Sequence, residues 1–392
     1  MPGLIRAMNK RPKTRAAAFF ALALASLSLA ACGQGGDEPS QTTTKATAFG
    51  GNTTTQTGTA PIPVSPRGGP LKTVLWGAQI GDQLTGTAPP YDMSAVSKFE
   101  RIAGKKLAIL GFASPFQDCT SGKCTFLDFA ADLFERVRQH GSIPLISWAS
   151  DSIPASTDQP QFQLRDVTAG RYDNYIRKWA IAARDWGHPF FLRFNWEMNG
   201  FWFPWGVGAN GNRTADFVPA WRHVHDIFTS VGATNATWVW CPNIDLHKPP
   251  ADLRPLYPGD KYVDWTCLDG FNWGIRSGSP GWLSFREIFG DSYRRLRQLV
   301  PDKPIMLGEM ASSNSGGDKV SWIRDMLTTM PSEFPGIHAF VWLDVHDRGT
   351  NWPIETSNAV ASEFRRGIAR RAYLANDYGN LDTSPIPPPD QG

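Results

Sequence analysis

The sequence predicts an α/β protein whose single folded domain is a TIM (β/α)₈ barrel. Between residues 71 and 376, eight short apolar runs with few charges alternate with amphipathic stretches. Short runs rich in Val, Ile, Leu, Phe and Trp are typical of parallel strands that are buried on both faces. The eight strand-like runs are 73–80, 107–112, 143–148, 190–195, 237–241, 268–272, 304–308 and 337–344.

The stretches between these runs carry apolar residues at three- and four-residue spacing, which predicts helices. They cover residues 127–140, 171–186, 216–231, 284–300, 319–330 and 356–373. Prolines break the pattern between the fifth and sixth strands, so only a short helix and a loop are expected there. The sequence contains neither G-x-G-x-x-G after the first strand nor a P-loop motif, which disfavours an open nucleotide-binding sheet.

Both ends of the chain differ in composition from this block. Residues 1–31 combine a basic stretch with an apolar run, as an export signal does. The run ends in Leu-Ala-Ala before Cys32, which resembles a bacterial lipobox and predicts a lipid anchor on that cysteine; a plain signal peptide is the alternative. Residues 32–70 are predicted to be a disordered tether, and residues 377–392 a flexible tail.

The composition narrows the function classes. Hydrophobic residues make up 41% of the chain and charged residues 19%, which is ordinary for a globular protein. The formal net charge is +3, but residues 1–31 hold five basic and no acidic residues, so the remainder carries −2. We therefore expect no nucleic-acid partner. Membrane contact is expected only through the anchor.

Cysteine content agrees with export, because four cysteines remain after Cys32. We expect one disulfide between Cys119 and Cys124, which lie in a tight loop, and another between Cys241 and Cys267 by elimination. A zinc site is the alternative for these residues, although no CxxC pair or histidine cluster accompanies them.

Two glutamates stand at the ends of predicted strands. Glu197 follows the fourth strand and Glu309 the seventh. In a TIM barrel these strand ends face each other across the carboxyl-terminal mouth, where active sites lie. Two carboxyl groups that flank one cleft are what glycoside hydrolysis requires, one as an acid and one as an ionised group. The alternative is that each glutamate is a salt-bridged loop residue.

Aromatic residues are concentrated at the same strand ends, although tryptophans on helices are expected to fill the core. Indoles pack against the apolar faces of sugars, and amide or guanidinium groups bind the hydroxyls. The predicted substrate-binding residues are Trp76, Trp148, Arg193, Asn195, Trp196, Trp202, Trp205, Trp240, Asn272, Trp273 and Trp342.

At these positions the sequence resembles that of glycoside hydrolase family 26. The matching positions are Arg193, 197–200 (EMNG), Trp202, 205–206, 238–243 and 308–309. The resemblance implies that Glu197 is the acid/base and Glu309 the nucleophile of a retaining mechanism. It also implies an activity among endo-β-1,4-mannanases, mixed-linkage β-glucanases and β-1,3-xylanases. The sequence departs from the family at Trp196, where members usually have histidine, and at 272–273, where they often have tyrosine.

The resulting hypothesis is an exported, lipid-anchored, endo-acting β-glycanase, with β-1,4-mannan as the first expected substrate. Mixed-linkage β-1,3-1,4-glucan or another β-glycan is the alternative within the same class. A non-catalytic surface lipoprotein that binds glycans is the alternative from a different class. We expect a monomer that needs no cofactor and no metal ion.

Overall fold

The computed structural model describes residues 72–347 and 349–389. The predicted signal peptide, its Cys32 and the tether of residues 32–70 lie outside the described residues.

Eight parallel strands form a closed barrel, which confirms the predicted fold. Each strand pairs with the next, and the last pairs with the first through, for example, Leu75 and Ala339. All eight predicted runs correspond to barrel strands. The strands are β1 (Val74–Ile80), β2 (Ile109–Asp118), β3 (Ile143–Ile153), β4 (Phe190–Phe194), β5 (Ala236–Trp240), β6 (Trp265–Asn272), β7 (Ile305–Ser312) and β8 (Ile337–Asp344).

Helices cover the outside of the barrel. The seven longer helices are α1 (Met93–Ala103), α2 (Ala131–His140), α3 (Asp173–Trp186), α4 (Thr214–Ser230), α5 (Phe285–Leu299), α6 (Lys319–Glu333) and α7 (Asn358–Ile368), and a five-residue helix, Leu164–Thr168, precedes α3. The sequence analysis missed α1, although the Asp92 side chain caps its first turn and Gly104 ends it in a left-handed conformation. The connection between β5 and β6 contains the short 3₁₀ turns Arg254–Leu256 and Asp260–Tyr262. No helix among the described residues is both long and apolar enough to cross a membrane.

The core has two layers because every barrel strand is buried on both faces. Side chains that point inward fill the barrel, and those that point outward pack beneath the helices. Both predicted disulfides, Cys119–Cys124 and Cys241–Cys267, are formed. β6 begins at Trp265, earlier than predicted, and pairs with β5 through Trp240 and Thr266. Cys241 and Cys267 therefore occupy the next facing positions of neighbouring strands.

The predicted flexible tail is wrong for residues 377–389, because this segment packs against the amino-terminal end of the barrel. Ile386 is only 3% exposed. Its backbone N–H donates to Thr237 Oγ1 at 2.8 Å, and its carbonyl accepts from Trp265 Nε1 at 2.7 Å. Arg138 also donates to the carbonyl of Gly379 at 2.5 Å. Proline content indicated disorder, but the apolar side chains of Tyr378, Leu381 and Ile386 pack against the core and anchor the segment.

We expect Ile386→Ala to lower the free energy of unfolding by about 2–5 kcal/mol, because it removes a buried side chain from a packed site. Urea denaturation measures this value. Asp382→Ala is the matched control, since Asp382 is exposed in the same segment. Equal stability of the two variants would show that the segment does not contribute to folding.

Candidate active site

A sharp turn at the end of β4 places Glu197. Asn195 and Glu197 both have positive backbone φ, 44° and 53°. Left-handed backbone is unfavourable for non-glycine residues and is concentrated at functional sites. Hydrogen bonds hold the turn: Glu197 N donates to the carbonyl of Cys241 at 2.6 Å, and Gly200 N donates to the carbonyl of Glu197 at 2.9 Å. The strand alternation ends here, so the Glu197 side chain is aimed by the turn.

Gly200 lets Trp202 reach Glu197. A Cβ atom at Gly200 would lie 2.4 Å from the Trp202 ring, so no larger residue fits there without a shift. Trp202 Nε1 donates to Glu197 Oε2 at 2.5 Å. The Asn243 side chain also favours the ionised form of Glu197, which lowers the pKa of that carboxyl group. The EMNG-x-W string thus specifies a turn, a carboxyl group and its donor.

Glu309 lies on β7, three strands away from β4 around the ring. Its side chain is almost fully buried and accepts a hydrogen bond from Arg193 Nη2. Gly308 makes room for this contact, because a Cβ atom there would lie 2.9 Å from Arg193 Nη1 and 2.5 Å from Cys267 Sγ. Glycine is therefore required directly before Glu309, because the Arg193 guanidinium and the Cys241–Cys267 disulfide lie against the backbone of residue 308.

Arg193 is the centre of a buried polar network beneath the carboxyl groups. Its guanidinium donates to Asp269 Oδ2 at 2.6 Å, to Ser147 Oγ at 2.8 and 3.0 Å, and to Glu309. The residue is fully buried. A buried guanidinium with charged and hydrogen-bonded partners holds a carboxylate in one orientation. Arg193 was predicted to bind substrate, but it lies below the mouth and positions Glu309 instead.

The surroundings of Glu197 change its acidity. Burial and, second, the negative charge of Glu309 raise the pKa of Glu197 to about 7. The hydrogen bond from Trp202 and the charge of Arg193 oppose this shift. Glu309 instead makes a direct ion pair with Arg193. A large share of molecules therefore carry a protonated Glu197 near neutral pH, while an ion pair holds Glu309, as acid and nucleophile require.

One group of residues has the ligand types of a metal site. The ligand atoms of Cys241, Cys267 and Asp269 lie within 4.8 Å of one another. The two cysteines form a disulfide, and a metal would need them as thiolates. Asp269 is already paired with Arg193. These three residues therefore stabilise the barrel interior through a disulfide and an ion pair, and they do not fit a metal ion.

Four of the predicted sugar platforms are wrong. Trp76, Trp148, Trp240 and Trp342 are fully buried and point outward from the barrel strands. Trp148, for example, stacks on Trp179 of α3 with ring centroids 4.5 Å apart. Trp76 packs against Phe99 and Phe364. Trp240 packs against Tyr257, and Trp342 packs against Trp322 and Phe364. Their position along the strand was predicted correctly, but the outward face lies beneath the helices, where no sugar can reach them.

Two predicted amide contacts are also wrong. Asn195 Oδ1 accepts from the backbone N–H of Ser150 at 2.9 Å, and its Nδ2 donates to Ser150 Oγ at 2.8 Å. Asn272 Nδ2 donates to Ser312 Oγ at 2.9 Å, and its Oδ1 accepts from backbone N–H groups. Both side chains are buried and join strands, so they stabilise the mouth without facing it.

The remaining aromatic residues lie closer to the mouth. Trp202 and Trp273 are half-buried and keep part of their rings exposed. Trp196 and Trp205 are nearly buried but line a cavity next to the turn. These four residues remain candidates for sugar contact.

Sequence reasoning missed two residues that support the site, Ser147 and Asp269, which both accept hydrogen bonds from the Arg193 guanidinium. Asp269 lies on β6 and, like Arg193, its side chain points into the barrel. An arginine buried in a barrel needs a carboxylate partner, so Arg193 itself was the signal that such a residue existed. The sequence did not show which strand supplied it.

The fold and the site together define the class of protein. A TIM barrel with two buried carboxyl groups at opposing strand ends, one with a raised pKa and one bound by arginine, has the architecture of a glycoside hydrolase. In a comparison with known protein families, residues 72–290 match glycosyl hydrolase family 26. The chain belongs to this family. Because the match ends at residue 290, the placement of Glu309 depends on the geometry described above.

Two curated proteins are similar in sequence. Endoglucanase H from Acetivibrio thermocellus is 31% identical over 292 residues, which cover 72% of this chain and 29% of that protein. Beta-1,3-xylanase TXYA from a Vibrio species is 29% identical over 126 residues, 31% of this chain and 26% of that protein. The chain therefore spans less than a third of each of these relatives.

Solved structures share the fold. The catalytic domain of an endo-β-1,4-mannanase from Bacillus sp. JAMB-750 has a TM-score of 0.60 at 16% identity, over 79% of this chain and 90% of that one. A modular endo-β-1,4-mannanase from Cellulomonas fimi has a TM-score of 0.58 at 17% identity, over 79% and 74%. At this identity the likeness concerns the fold alone.

Proposed function

We propose that this protein is an endo-acting β-glycanase that hydrolyses its polysaccharide with retention of configuration. The observation that supports this most strongly is the difference between the two carboxyl groups at the mouth. Glu197 is a buried acid whose pKa is raised to about 7, whereas Glu309 is bound by the Arg193 guanidinium. A glycan-binding protein requires neither an acid nor a nucleophile in its groove.

The proposed reaction has two steps. Glu309 attacks the anomeric carbon while Glu197 transfers its proton to the leaving oxygen, which breaks the glycosidic bond and forms a covalent glycosyl-enzyme. Glu197, now ionised, then takes a proton from water as that water attacks the same carbon and releases Glu309. The mechanism predicts carboxyl groups about 5–5.5 Å apart; a separation near 9 Å would indicate inversion.

The proposed substrate class is a β-linked glycan, and two polymers are the leading candidates for the substrate. The family resemblance favours β-1,4-mannan. The sequence relationship to Endoglucanase H favours a β-glucan, because 31% identity over most of the domain is closer than the 16–17% shared with the mannanase structures. Trp196 and Trp273, which depart from the family pattern, are the residues that we expect to influence which sugar is recognised, whereas the Asn272 side chain is buried between strands.

Reducing-sugar release from a panel of polymers tests this proposal. The full chain should be used, because residues 377–389 are part of the fold. The panel is β-1,4-mannan, mixed-linkage β-glucan, β-1,3-xylan and cellulose, each with the wild type and Glu309→Ala. Release from one polymer that is lost in the variant would support both the reaction and the substrate. A folded wild type that binds a polymer but never cleaves it would favour the glycan-binding alternative.

We also propose that the protein is exported and anchored by lipid on Cys32, as the lipobox-like sequence indicates. Cys32→Ser is expected to move the protein from the membrane fraction to the soluble fraction, because lipidation requires the thiol. Immunoblots of fractionated cells measure this. Unchanged fractionation would contradict the anchor. Ser40→Ala, a conservative change close to Cys32 but outside the lipobox-like sequence, is the control.

A further inference from the structure

A surface rich in basic residues lies at the amino-terminal end of the barrel, opposite the mouth. Each helix of a TIM barrel returns the chain to the start of the next strand, so the last turns of the helices reach this end. The last turn of α1 carries Arg101, and that of α7 carries Arg365 and Arg366. The exposed members of this surface, which we call the basic face, are Arg101, Lys106, Arg365, Arg366, Arg370 and Arg371.

Contacts between two parts of the chain join these residues into one surface. Arg365 Nη2 donates to the carbonyl of Arg101 at 2.7 Å. Lys105 Nζ donates to the carbonyl of Arg370 at 3.4 Å. The connection from α1 to β2 therefore lies directly against the last turn of α7 and the residues that follow it.

The chain enters the barrel through the same surface. Lys72 is the first described residue, and β1 begins two residues later. Val74 pairs in parallel with Tyr373, and its N–H donates to the carbonyl of Ala372 at 2.7 Å. Continued by two residues, this register places Lys72 next to Arg371. Whatever precedes residue 72 is therefore joined to the domain at the basic face.

Three of these charges have no partner in the fold. The side chains of Arg101, Lys106 and Arg371 make no hydrogen bond and no ion pair with any of the described residues. Arg365 and Arg370, by contrast, donate to backbone carbonyls. The dipole of α1 favours a cation at Arg101, but Lys106 and Arg371 lie outside the helices, where no dipole accounts for them.

The acidic residues nearest in sequence do not neutralise the basic face. Glu100 pairs with His140, and its side chain is only 10% exposed. Glu363 is also buried, and it pairs with Arg324 and Arg366. The chain after residue 31 carries a net charge of −2, so the positive charge is a local feature of this end of the barrel. A local cluster of one sign produces a field that attracts a partner of the opposite sign.

The position of the anchor indicates which anionic partner this is. Residues 33–71 separate the proposed lipid on Cys32 from Lys72, and they can span at most about 140 Å. A domain held this close meets the membrane surface at a high effective concentration, so a weak contact is sufficient. Basic residues gain affinity for a membrane surface that contains anionic phospholipids.

We propose that the basic face binds the anionic phospholipid surface in which the lipid on Cys32 is anchored. The mouth, with Glu197 and Glu309, then faces away from the membrane, where a polymer can reach it. For its location the inference rests on the proposed lipid anchor, and it adds an interaction surface and an orientation to the proposed glycanase.

Cosedimentation with vesicles tests the basic face. The chain that begins at residue 33 is suitable, because it keeps the whole closed barrel and lacks both the basic signal sequence and Cys32. It should bind phosphatidylcholine vesicles that contain about 30% phosphatidylglycerol and should not bind pure phosphatidylcholine. Binding should weaken at least tenfold between about 0.1 M and about 1 M salt, over which the Debye length falls from about 10 Å to about 3 Å.

A triple charge reversal, Arg101→Glu with Lys106→Glu and Arg371→Glu, should weaken binding to the anionic vesicles at least tenfold. The corresponding triple glutamine variant should show a smaller loss, because it removes the charges without reversing them. All three side chains are exposed and unpaired, so the melting temperature should not change. Unaltered vesicle binding by the triple glutamate variant would overturn the proposal.

The matched control makes the same change of charge at the mouth. It combines three substitutions of exposed basic residues on connections that follow β2, β3 and β5, namely Lys123→Glu, Arg165→Glu and Lys248→Glu. This control should bind anionic vesicles like the wild type. Equal losses in the two triple variants would overturn the basic face as the membrane contact. Binding of a DNA duplex without binding of vesicles would assign the face to nucleic acid and also overturn it.

Orientation has a separate measurement. A fluorophore on Ala375→Cys, which is exposed beside the basic face, should be quenched by brominated lipid in anionic vesicles. A fluorophore on Ser121→Cys, which is exposed on the hairpin at the mouth, should not be quenched. The reverse result, or equal quenching, would contradict a mouth that faces away from the membrane.

The anchor and the glycanase are tested independently of this surface, because the vesicle assay needs neither lipidation nor a sugar. Membranes from Cys32→Ser cells are washed with about 1 M salt, which releases an electrostatic contact but not a lipid anchor. Vesicle binding together with salt-resistant Cys32→Ser protein would refute the anchor and keep the basic face. Release of Cys32→Ser together with no vesicle binding would refute the basic face and keep the anchor. Hydrolysis in solution decides the glycanase in either case.

Discussion

Glu309→Ala is expected to abolish hydrolysis, with kcat lower by roughly 10⁴-fold or more, as when other covalent nucleophiles are removed. The alanine variant has no group that can form the glycosyl-enzyme, and water in the cavity left behind has no partner that activates it. Arg193 keeps its ion pair with Asp269, so the barrel interior should remain paired. The measurement is reducing-sugar release from the polymer that the wild type cleaves.

The control for this variant is Glu333→Ala, because Glu333 is a glutamate in a surface ion pair with Arg286. That variant should retain wild-type activity. Calorimetric binding of a hexasaccharide to Glu309→Ala should persist, which separates lost chemistry from lost binding. Polysaccharide cleavage by Glu309→Ala at more than about a hundredth of the wild-type rate would exclude Glu309 as the nucleophile.

The barrel was predictable because its strands differ sharply from everything around them. Buried parallel strands are short apolar runs with few charges, and all eight were located. Boundaries were less certain where polar residues belong to a strand: β7 extends to Ser312 and β3 to Ile153, beyond the predicted runs. Those extensions contain polar residues, which a search for short apolar runs leaves out.

The aromatic predictions failed for a geometric reason. Residues one apart on a strand point to opposite faces, and the sequence shows position along a strand more reliably than it shows the face. Trp148 and Trp342 reach the right end of the barrel but point outward. Both faces of these strands are apolar, so hydrophobic alternation gives no indication of which way each ring points.

The two carboxyl groups were predictable, but their environment was not. Strand ends in a TIM barrel converge on one mouth, which places Glu197 and Glu309 together from topology alone. The Arg193–Asp269 pair joins residues that are 76 positions apart in the chain. The hydrogen bond from Trp202 to Glu197 joins residues five positions apart, and it forms only because the chain turns sharply between them. Contacts across the barrel are set by packing, and a single sequence does not specify them.

Glu197→Ala is expected to lower kcat/KM on polysaccharide by about 10²–10⁴-fold, the usual contribution of a general acid. The loss should be much smaller for a dinitrophenyl β-glycoside, because that leaving group departs without a proton. With this substrate, release of Glu309 becomes slow, and azide should accelerate it and give a glycosyl azide of the original configuration. Equal losses on both substrates would contradict the role of Glu197 as the acid.

The pH dependence follows from the raised pKa of Glu197. The acid must be protonated to act, so kcat/KM of the wild type should fall as pH rises through about 7. A glutamic acid with an ordinary pKa near 4.3 would be protonated in only roughly 2% of molecules at pH 6.

Trp202→Phe provides a directional test of the same site. The Trp202 hydrogen bond lowers the pKa of Glu197 by favouring the ionised form, so its loss should move the alkaline limb of the kcat/KM profile to higher pH. A change in sugar binding alone would alter the height of the profile without moving this limb. A limb that stays in place, or moves to lower pH, would mean that Glu197 is not the group that titrates.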